Sequence, residues 1–188
     1  MRVFYDTEFL EDGQTIAPIS IGMVSDDGRE YYAVASDAPM HLIRMHPWLM
    51  QNVVPSLPIA PECKPALEDY LADPNENWKA AFAVELDVTD PAVKPRAEIA
   101  GGVRDFLQAI DDVELWAWYA AYDHVVLAQL FGRMIDLPPG IPMWTNDLRQ
   151  ECHRLGNPPM PPQPTGEHNA LADARHNRVM ARFMDALA

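Results

Sequence analysis

Asp6-Thr7-Glu8 is the first place in the chain where chemistry could reside. In an extended strand, residues i and i+2 share a face. Asp6 and Glu8 therefore set two carboxylates side by side within RVFYDTEFL, a segment otherwise fit for burial. Two such anions repel unless they are protonated or neutralised by a cation. Hard divalent metals prefer oxygen donors, so Mg²⁺ or Mn²⁺ is the natural counter-ion. Taken alone, the pair is equally explained as a strand end frayed into solvent. Asp123 follows the apolar stretch VELWAWYAA and opens a helical pattern. Asp is a favoured N-cap, but the carboxyl ends of strands are also where α/β sheets gather ligands. Asp173 lies one turn into the last helical pattern, five residues after His168. Of the six histidines, only His168 has an Asp at +5; His41, His46, His124, His153 and His176 do not.

Four carboxylates and one histidine have a joint chemistry. Two metal ions roughly 3.5–4 Å apart clamp a phosphodiester, one activating water and the other stabilising the leaving oxygen. A histidine with a pKa near neutrality takes the proton from that water. The overall charge is compatible with such a site. Lys plus Arg is 14 and Asp plus Glu is 28, a net charge of −14. That argues against holding DNA or RNA by a broad basic surface, but not against carboxylates that hold cations.

The elements that must position these residues follow from patterning. Residues 2–10, 16–25 and 29–35 read as three strands, separated by the turn signals Glu11-Asp12-Gly13 and Asp26-Asp27-Gly28, and hence as an antiparallel meander. Residues 37–98 contain nine of the 18 prolines and read as a loop-rich insertion with short helical pieces around 40–54 and 76–82. From Glu98, the apolar positions Ile99, Val103, Phe106, Leu107 and Ile110 predict a helix. Residues 113–121 predict a fourth, buried strand, 123–134 and 146–155 two further helices, and 169–188 a last helix with Val179, Met180, Phe183, Met184 and Leu187 inward. The proline-rich link NPPMPPQPTGE is too stiff for a packed element. A meander followed by an α-crossover implies a mixed α/β sheet covered by helices. For the metal chemistry to work, the first and fourth strands must be neighbours. At 188 residues, with no internal repeat, a single domain over 1–188 is expected. No apolar run approaches the ~20 residues of a membrane span. The early carboxylate argues against a signal peptide, and two cysteines, Cys63 and Cys152, make no disulfide framework. A reducing, cytoplasmic compartment is therefore expected.

Asp6-Thr7-Glu8, Asp123 and His168-Asn169-Ala170-Leu171-Ala172-Asp173-Ala174 resemble the three motifs of the DEDDh 3′–5′ exonuclease superfamily. The stretches DTEFLEDGQTI, ISIGMV, DGREYYAV, LWAWYAAYDHV and HNALADARHN are similar to the actinobacterial adenylate-specific exoribonucleases, the ribonuclease AS family. The resemblance covers about 1–58 and 96–186. It implies a ribonuclease H-like fold, two Mg²⁺ (or Mn²⁺) ions per site and a homodimer. It also implies hydrolysis of single-stranded RNA with adenylate-rich 3′ ends to nucleoside 5′-monophosphates. Carried over by residue, it makes Asp6, Glu8, Asp123 and Asp173 the metal ligands and His168 the general base. Where the superfamily often has Asn four residues before the second-motif Asp, this chain has Tyr119, and 60–95 is longer than the family pattern.

Thr7, Phe9 and Leu10 are candidate substrate contacts, Phe9 and Leu10 as a wedge against a terminal base, although a core role fits both as well. Trp116 and Trp118 read as core, Arg96, Arg149 and Arg175 as surface, and Asp112-Val113-Glu114 as a solvated turn. A DNA 3′–5′ exonuclease, or a nucleic-acid-binding module of the same fold without chemistry, would carry much of the same pattern. The motifs do not see the sugar 2′-hydroxyl.

Overall fold

The computed structural model describes residues 1–187. The meander forms as its alternation predicts: β1 (Arg2–Glu11), β2 (Ile16–Ser25) and β3 (Glu30–Ala35) pair antiparallel in sequence. Three shorter strands complete the sheet: β4 (Val93–Lys94), β5 (Glu114–Ala117) and β6 (Asn146–Asp147). The order is β4-β3-β2-β1-β5-β6, with β4, β5 and β6 each joined parallel to its neighbour. This is the α/β, ribonuclease H-like mixed sheet implied by the sequence, and β1 and β5 are neighbours, the arrangement that the metal-site expectation needs.

The helices are α1 (Met40–Ile43), α2 (Pro47–Asn52), α3 (Lys64–Ala72), α4 (Arg96–Gln108), α5 (Ala121–Gln129), α6 (Leu148–Arg154) and α7 (Ala170–Asp185). Alternation along β1 sends Val3 and Tyr5 to one face, with Ile99, Val103 and Leu107 of α4, Leu127 of α5 and the apolar residues of 40–60. Phe4 goes to the other face, with Leu148 and Cys152 of α6 and Ala174, Ala181 and Met184 of α7. No helix among the described residues is long and apolar enough to cross a membrane.

Several boundaries differ from expectation. The fourth strand ends at Ala117 rather than reaching residue 121, because Tyr119 adopts a left-handed backbone (φ 57°) that no strand continues through. Helix α3 and strand β4 lie inside the proline-rich segment, where composition had hidden them. On α7, Val179 and Leu187 are exposed, while Ala170, Ala174, Asn177 and Ala181 are buried with Met180 and Met184. The face against the sheet is lined largely by small residues, which hydrophobicity alone underrates.

Small residues matter because α7 approaches the sheet closely. A Cβ built on Gly22 would stand 2.3 Å from the backbone of Ala170 and Leu171. Gly22 is the cross-strand partner of Asp6, so this contact fixes the start of α7 beside Asp6. A second irregularity sits next to Glu8: Pro18 has no N–H for the ladder, and the β1–β2 register shifts between Glu8 and Phe9. Gly22→Ala is expected to lower the melting temperature by roughly 3–10 °C, the cost of overpacking a fixed backbone contact. Thermal denaturation checks this, and an unchanged melting temperature would mean that α7 can retreat freely.

Candidate active site

β5 pairs with β1 only over Arg2 to Phe4. Beyond that point, the backbone groups of β1 on this edge have no strand partner, and side chains take its place. Asn177 Nδ2 of α7 donates to the Tyr5 carbonyl at 3.0 Å. The Thr7 N–H (2.8 Å) and Thr7 Oγ1 (2.7 Å) both donate to Asp123 Oδ1. Asp123 lies in the first turn of α5 and does not cap it; the residue flanking the helix start is Ala120. Its side chain instead reaches across to β1, which the short β5 leaves open. Asp6 and Glu8 share the α7 face of β1, and α7 supplies Asp173 from its first turn.

Asp173 is held at both oxygens. Gln163 Nε2 donates to Oδ1 at 2.6 Å, and the His168 backbone N–H donates to Oδ2 at 2.9 Å. His168 has a left-handed backbone (φ 63°), an uncommon state for a residue with a Cβ. Its carbonyl accepts from Ser56 Oγ at 2.9 Å, and its ring meets the Trp48 ring edge-on, with centroids 4.8 Å apart. Glu8, Asp173 and the His168 imidazole each bring one donor atom within 4.8 Å of the others.

Asp6, Glu8, Asp123, Asp173 and His168 line one cleft of about 690 Å³. Its walls are aromatic: Phe9, Trp48, Trp118, Tyr119 and Tyr122. Phe9 and Tyr122 lie nearly parallel, 7° apart, with centroids at 5.7 Å. Among the described residues, no lysine or arginine lines this cleft or pairs with Asp6, Glu8, Asp123, Asp173 or Glu167, which also lines it. Of the candidate substrate contacts, Thr7 and Phe9 face the cleft, whereas Leu10 packs against the hydrophobic core. Trp118 does both, packing under α7 and lining the cleft. Arg96 pairs with Asp37 and Arg175 with Glu30, and Arg149 donates to Asn157, away from the cleft. His124 is held by Thr145, which also bonds the Tyr5 hydroxyl. Trp48, Ser56, Gln163, His176 and Asn177 were not singled out from sequence. Asn177 alone had a usable signal, one turn beyond Asp173 on a buried helix face.

Burial without a counter-charge raises the carboxyls of Asp6, Glu8, Asp123 and Asp173. Asp6 is pushed well above the usual carboxylate range by desolvation, then by Asp123, Glu8 and Asp173. Glu8 rises to about 8, by desolvation and then by Asp173 and Asp123. Desolvation lifts Asp123 to about 6, against the lowering effect of the two Thr7 hydrogen bonds. Asp173 is raised by desolvation, opposed by Gln163 and the His168 N–H. Such a donor set fits hard divalent cations: all oxygen, anionic when ionised, and unneutralised by protein.

The direction of the pH effect follows. In the folded, metal-free chain, Glu8 and Asp123 hold protons that the unfolded chain has already released above about pH 4.5. Their contribution to stability is complete below that pH and is lost as the pH rises through about 6 and then about 8. In chelator, the melting temperature is expected to fall by on the order of 5–10 °C between about pH 5 and about pH 8.5. Asp6→Asn should recover part of that loss, because one repelling carboxylate is gone. A flat melting temperature would contradict this account.

With this geometry in view, the relatives are informative. The family model for the 3′-5′ exoribonuclease Rv2179c-like domain matches residues 1–184. Two Mycobacterium tuberculosis proteins, 3′-5′ exoribonuclease Rv2179c of strain H37Rv and 3′-5′ exoribonuclease MT2234.1 of strain CDC 1551, are each 42% identical to the chain over 177 residues, covering 93% of it and 88% of their own length. The match runs through all three carboxylate motifs and the proline-rich segment between them, and the chain belongs to the Rv2179c-like 3′-5′ exoribonuclease family.

Proposed function

We propose that this chain is a two-metal 3′–5′ exoribonuclease. It removes nucleoside 5′-monophosphates one at a time from single-stranded RNA and prefers adenylate-rich 3′ ends. The observation that carries this reading is the convergence of Asp6, Glu8, Asp123, Asp173 and His168 in one aromatic-walled cleft that no lysine or arginine lines among the described residues. Family membership supports the reaction class, the resemblance seen in the sequence supports adenylate preference and a homodimer, and the two cysteines without a disulfide framework support a cytoplasmic setting.

Asp6, Glu8, Asp123 and Asp173 would hold Mg²⁺ or Mn²⁺, two ions per site. When bound, the ions neutralise the carboxylates and stabilise the charge that develops on the phosphodiester. His168 accepts the proton of the attacking water. The water oxygen bonds to phosphorus, and the bond to the 3′ oxygen of the preceding nucleotide breaks. The leaving 3′ oxygen takes up a proton from solvent, which leaves a shortened RNA with a free 3′-hydroxyl and a nucleoside 5′-monophosphate. Thr7 fixes Asp123, while Gln163 and the His168 backbone fix Asp173, so the donors are set before cations arrive. The cleft suits an unpaired end: stacking on aromatic walls contributes roughly 1–3 kcal/mol per base, and purines offer the larger face.

Asp6→Asn and Asp173→Asn are expected to abolish turnover while the chain stays folded. Calorimetric titration of the metal-free protein with Mn²⁺ should show binding lost or greatly weakened in both. Substantial hydrolysis by Asp6→Asn in Mg²⁺ or Mn²⁺ would sink the two-metal reading.

His168→Ala is expected to lower kcat by roughly 10²–10⁴, the usual worth of a positioned base. Metal binding should change little, and the mutant should lose the rise of activity with pH. An unaltered pH–rate profile would point to another base. On labelled oligomers of A, C, U and deoxyadenylate at one salt concentration, oligo(A) should be degraded fastest. Preference for the deoxy oligomer would favour a DNA exonuclease, and equal rates on all four would leave a general exonuclease.

A further inference from the structure

The cleft continues past the carboxylates along α7. His168 stands just before this helix, Asp173 lies in its first turn, and His176 follows three residues later, about 4.5 Å further along the axis. Strand β1 passes the same points in the opposite sense. Glu8 lies beside the His168 imidazole, Tyr5 accepts from Asn177, next to His176, and Arg2 pairs with Asp185 at the end of α7. The cleft therefore has two limbs. One holds His168, and the other is lined by His176 and Met180 of α7 and by Trp118, which packs toward the same end of the helix.

His176 is idle in the folded chain. Its neighbours on α7 are engaged with protein: Arg175 with Glu30, Asn177 with the Tyr5 carbonyl and Arg178 with the Ser25 carbonyl. The His176 ring is half-buried in the cleft wall, and among the described residues it bonds no protein group. Nor does it join the donor atoms of Glu8, Asp173 and His168 that lie within 4.8 Å of one another. An imidazole carries an N–H donor whether neutral or protonated, and a phosphate oxygen is a strong acceptor for it. The cleft has need of such a donor. Four ionised carboxylates and two divalent cations sum to no net charge, and among the described residues no lysine or arginine lines the walls to meet a further phosphate.

The chemistry says which part of the RNA reaches this limb. An in-line displacement sets the attacking water and the leaving oxygen on opposite sides of phosphorus. With His168 taking the proton of the water, the leaving 3′ oxygen, and the nucleotide that carries it, face away from His168 and toward His176. We propose that His176 binds the phosphate on the 5′ side of that nucleotide, the first phosphate upstream of the scissile link. The proposal rests on the exoribonuclease reading and deepens it. It also sets a shortest good substrate. A dinucleotide with a 5′-hydroxyl has only the scissile phosphate, so it leaves His176 without a ligand and is cut slowly. A 5′-phosphate on the same dinucleotide, or one more nucleotide, supplies what is missing.

Two measurements test it. The first is steady-state kinetics in Mg²⁺ on ApA, pApA and ApApA for the wild type, His176→Ala and His176→Gln. The wild type should show kcat/KM on pApA and ApApA roughly 10–100-fold above that on ApA, the range for one hydrogen bond to a charged group. His176→Ala should erase that ratio, and His176→Gln, which keeps an N–H donor, should restore part of it. A His176→Ala loss that is equal on all three substrates would overturn the proposal and make His176 a residue of the fold or of the scissile link. A ratio that survives in His176→Ala would overturn it as well and assign the phosphate to another group. The second is calorimetry in Mg²⁺ with analogues of ApA and pApA in which a methylene replaces the leaving 3′ oxygen, so that no bond is cut. The wild type should bind the 5′-phosphorylated analogue more tightly by a similar factor, and His176→Ala should bind the two alike. Titrated with Mn²⁺ alone, His176→Ala should match the wild type; a lost affinity would make His176 a metal ligand and overturn the proposal. If the wild type cut none of the three substrates, the exoribonuclease reading would fail, and the calorimetry would still decide whether His176 holds a phosphate.

Discussion

Asp6, Glu8, Asp123 and Asp173 share one partly buried cleft and repel one another, and among the described residues no lysine or arginine lines it. Whatever holds them must orient without neutralising. The groups that do so are neutral donors: the Thr7 amide and hydroxyl on Asp123, and the Gln163 amide and His168 amide on Asp173. An arginine in any of these positions would satisfy the charge and close the site to cations. Among the described residues, Asp6 and Glu8 have no such donors, and they depend on the strand itself, which pairs with β2 from Val3 to Glu11. The repulsion is tolerated because β1 lies between two hydrophobic clusters, one on each face, and cannot easily move to relieve it.

The same constraint accounts for where the positive charge went. Eight of the arginines, Arg2, Arg29, Arg44, Arg96, Arg104, Arg133, Arg154 and Arg175, are ion-paired to carboxylates outside the cleft. The other three, Arg149, Arg178 and Arg182, donate to neutral oxygens of Asn157, Ser25 and Asp26. With a net charge of −14, the molecule has little long-range attraction for a polyanion. Affinity for a nucleic-acid end must then be local, arising from stacking on the aromatic walls and, in the proposed reading, from cations held by the carboxylates. A surface of this kind favours reading the last nucleotides over gripping a long strand.

The meander was legible because strict alternation and Gly-containing turns act locally. The placement of Asp6, Glu8, Asp123 and Asp173 in one cleft was legible because their spacing is set by regular elements: i and i+2 on a strand, and the first turn of a helix. What escaped notice lies where regularity breaks. The stop of β5 depends on the left-handed Tyr119, and the register shift beside Glu8 depends on Pro18. Gly22 looked like an ordinary strand residue, yet it admits the α7 backbone next to Asp6. Gln163 and Trp48 lie in proline-rich stretches that show no periodicity, so nothing local announces what they touch. Val179 and Leu187 were misplaced because hydrophobicity was weighed without regard to how closely α7 lies on the sheet.

These irregular places are also the places that make the site. A β5 of full length would pair with Thr7 and leave Asp123 nothing to hold; an unbroken β1–β2 register would aim Glu8 differently. His168 enters α7 through a left-handed residue, which turns its amide onto Asp173 but is costly to maintain. That cost explains why a proline-rich segment belongs here. Proline restricts the unfolded chain, so a segment with little regular structure loses less entropy when it is fixed in place. Residues 47–56 thereby hold Ser56 and Trp48 against His168 without a long helix or strand of their own. The stretch that looks least organised in the sequence is thus part of the restraint on a residue whose backbone is strained at the site.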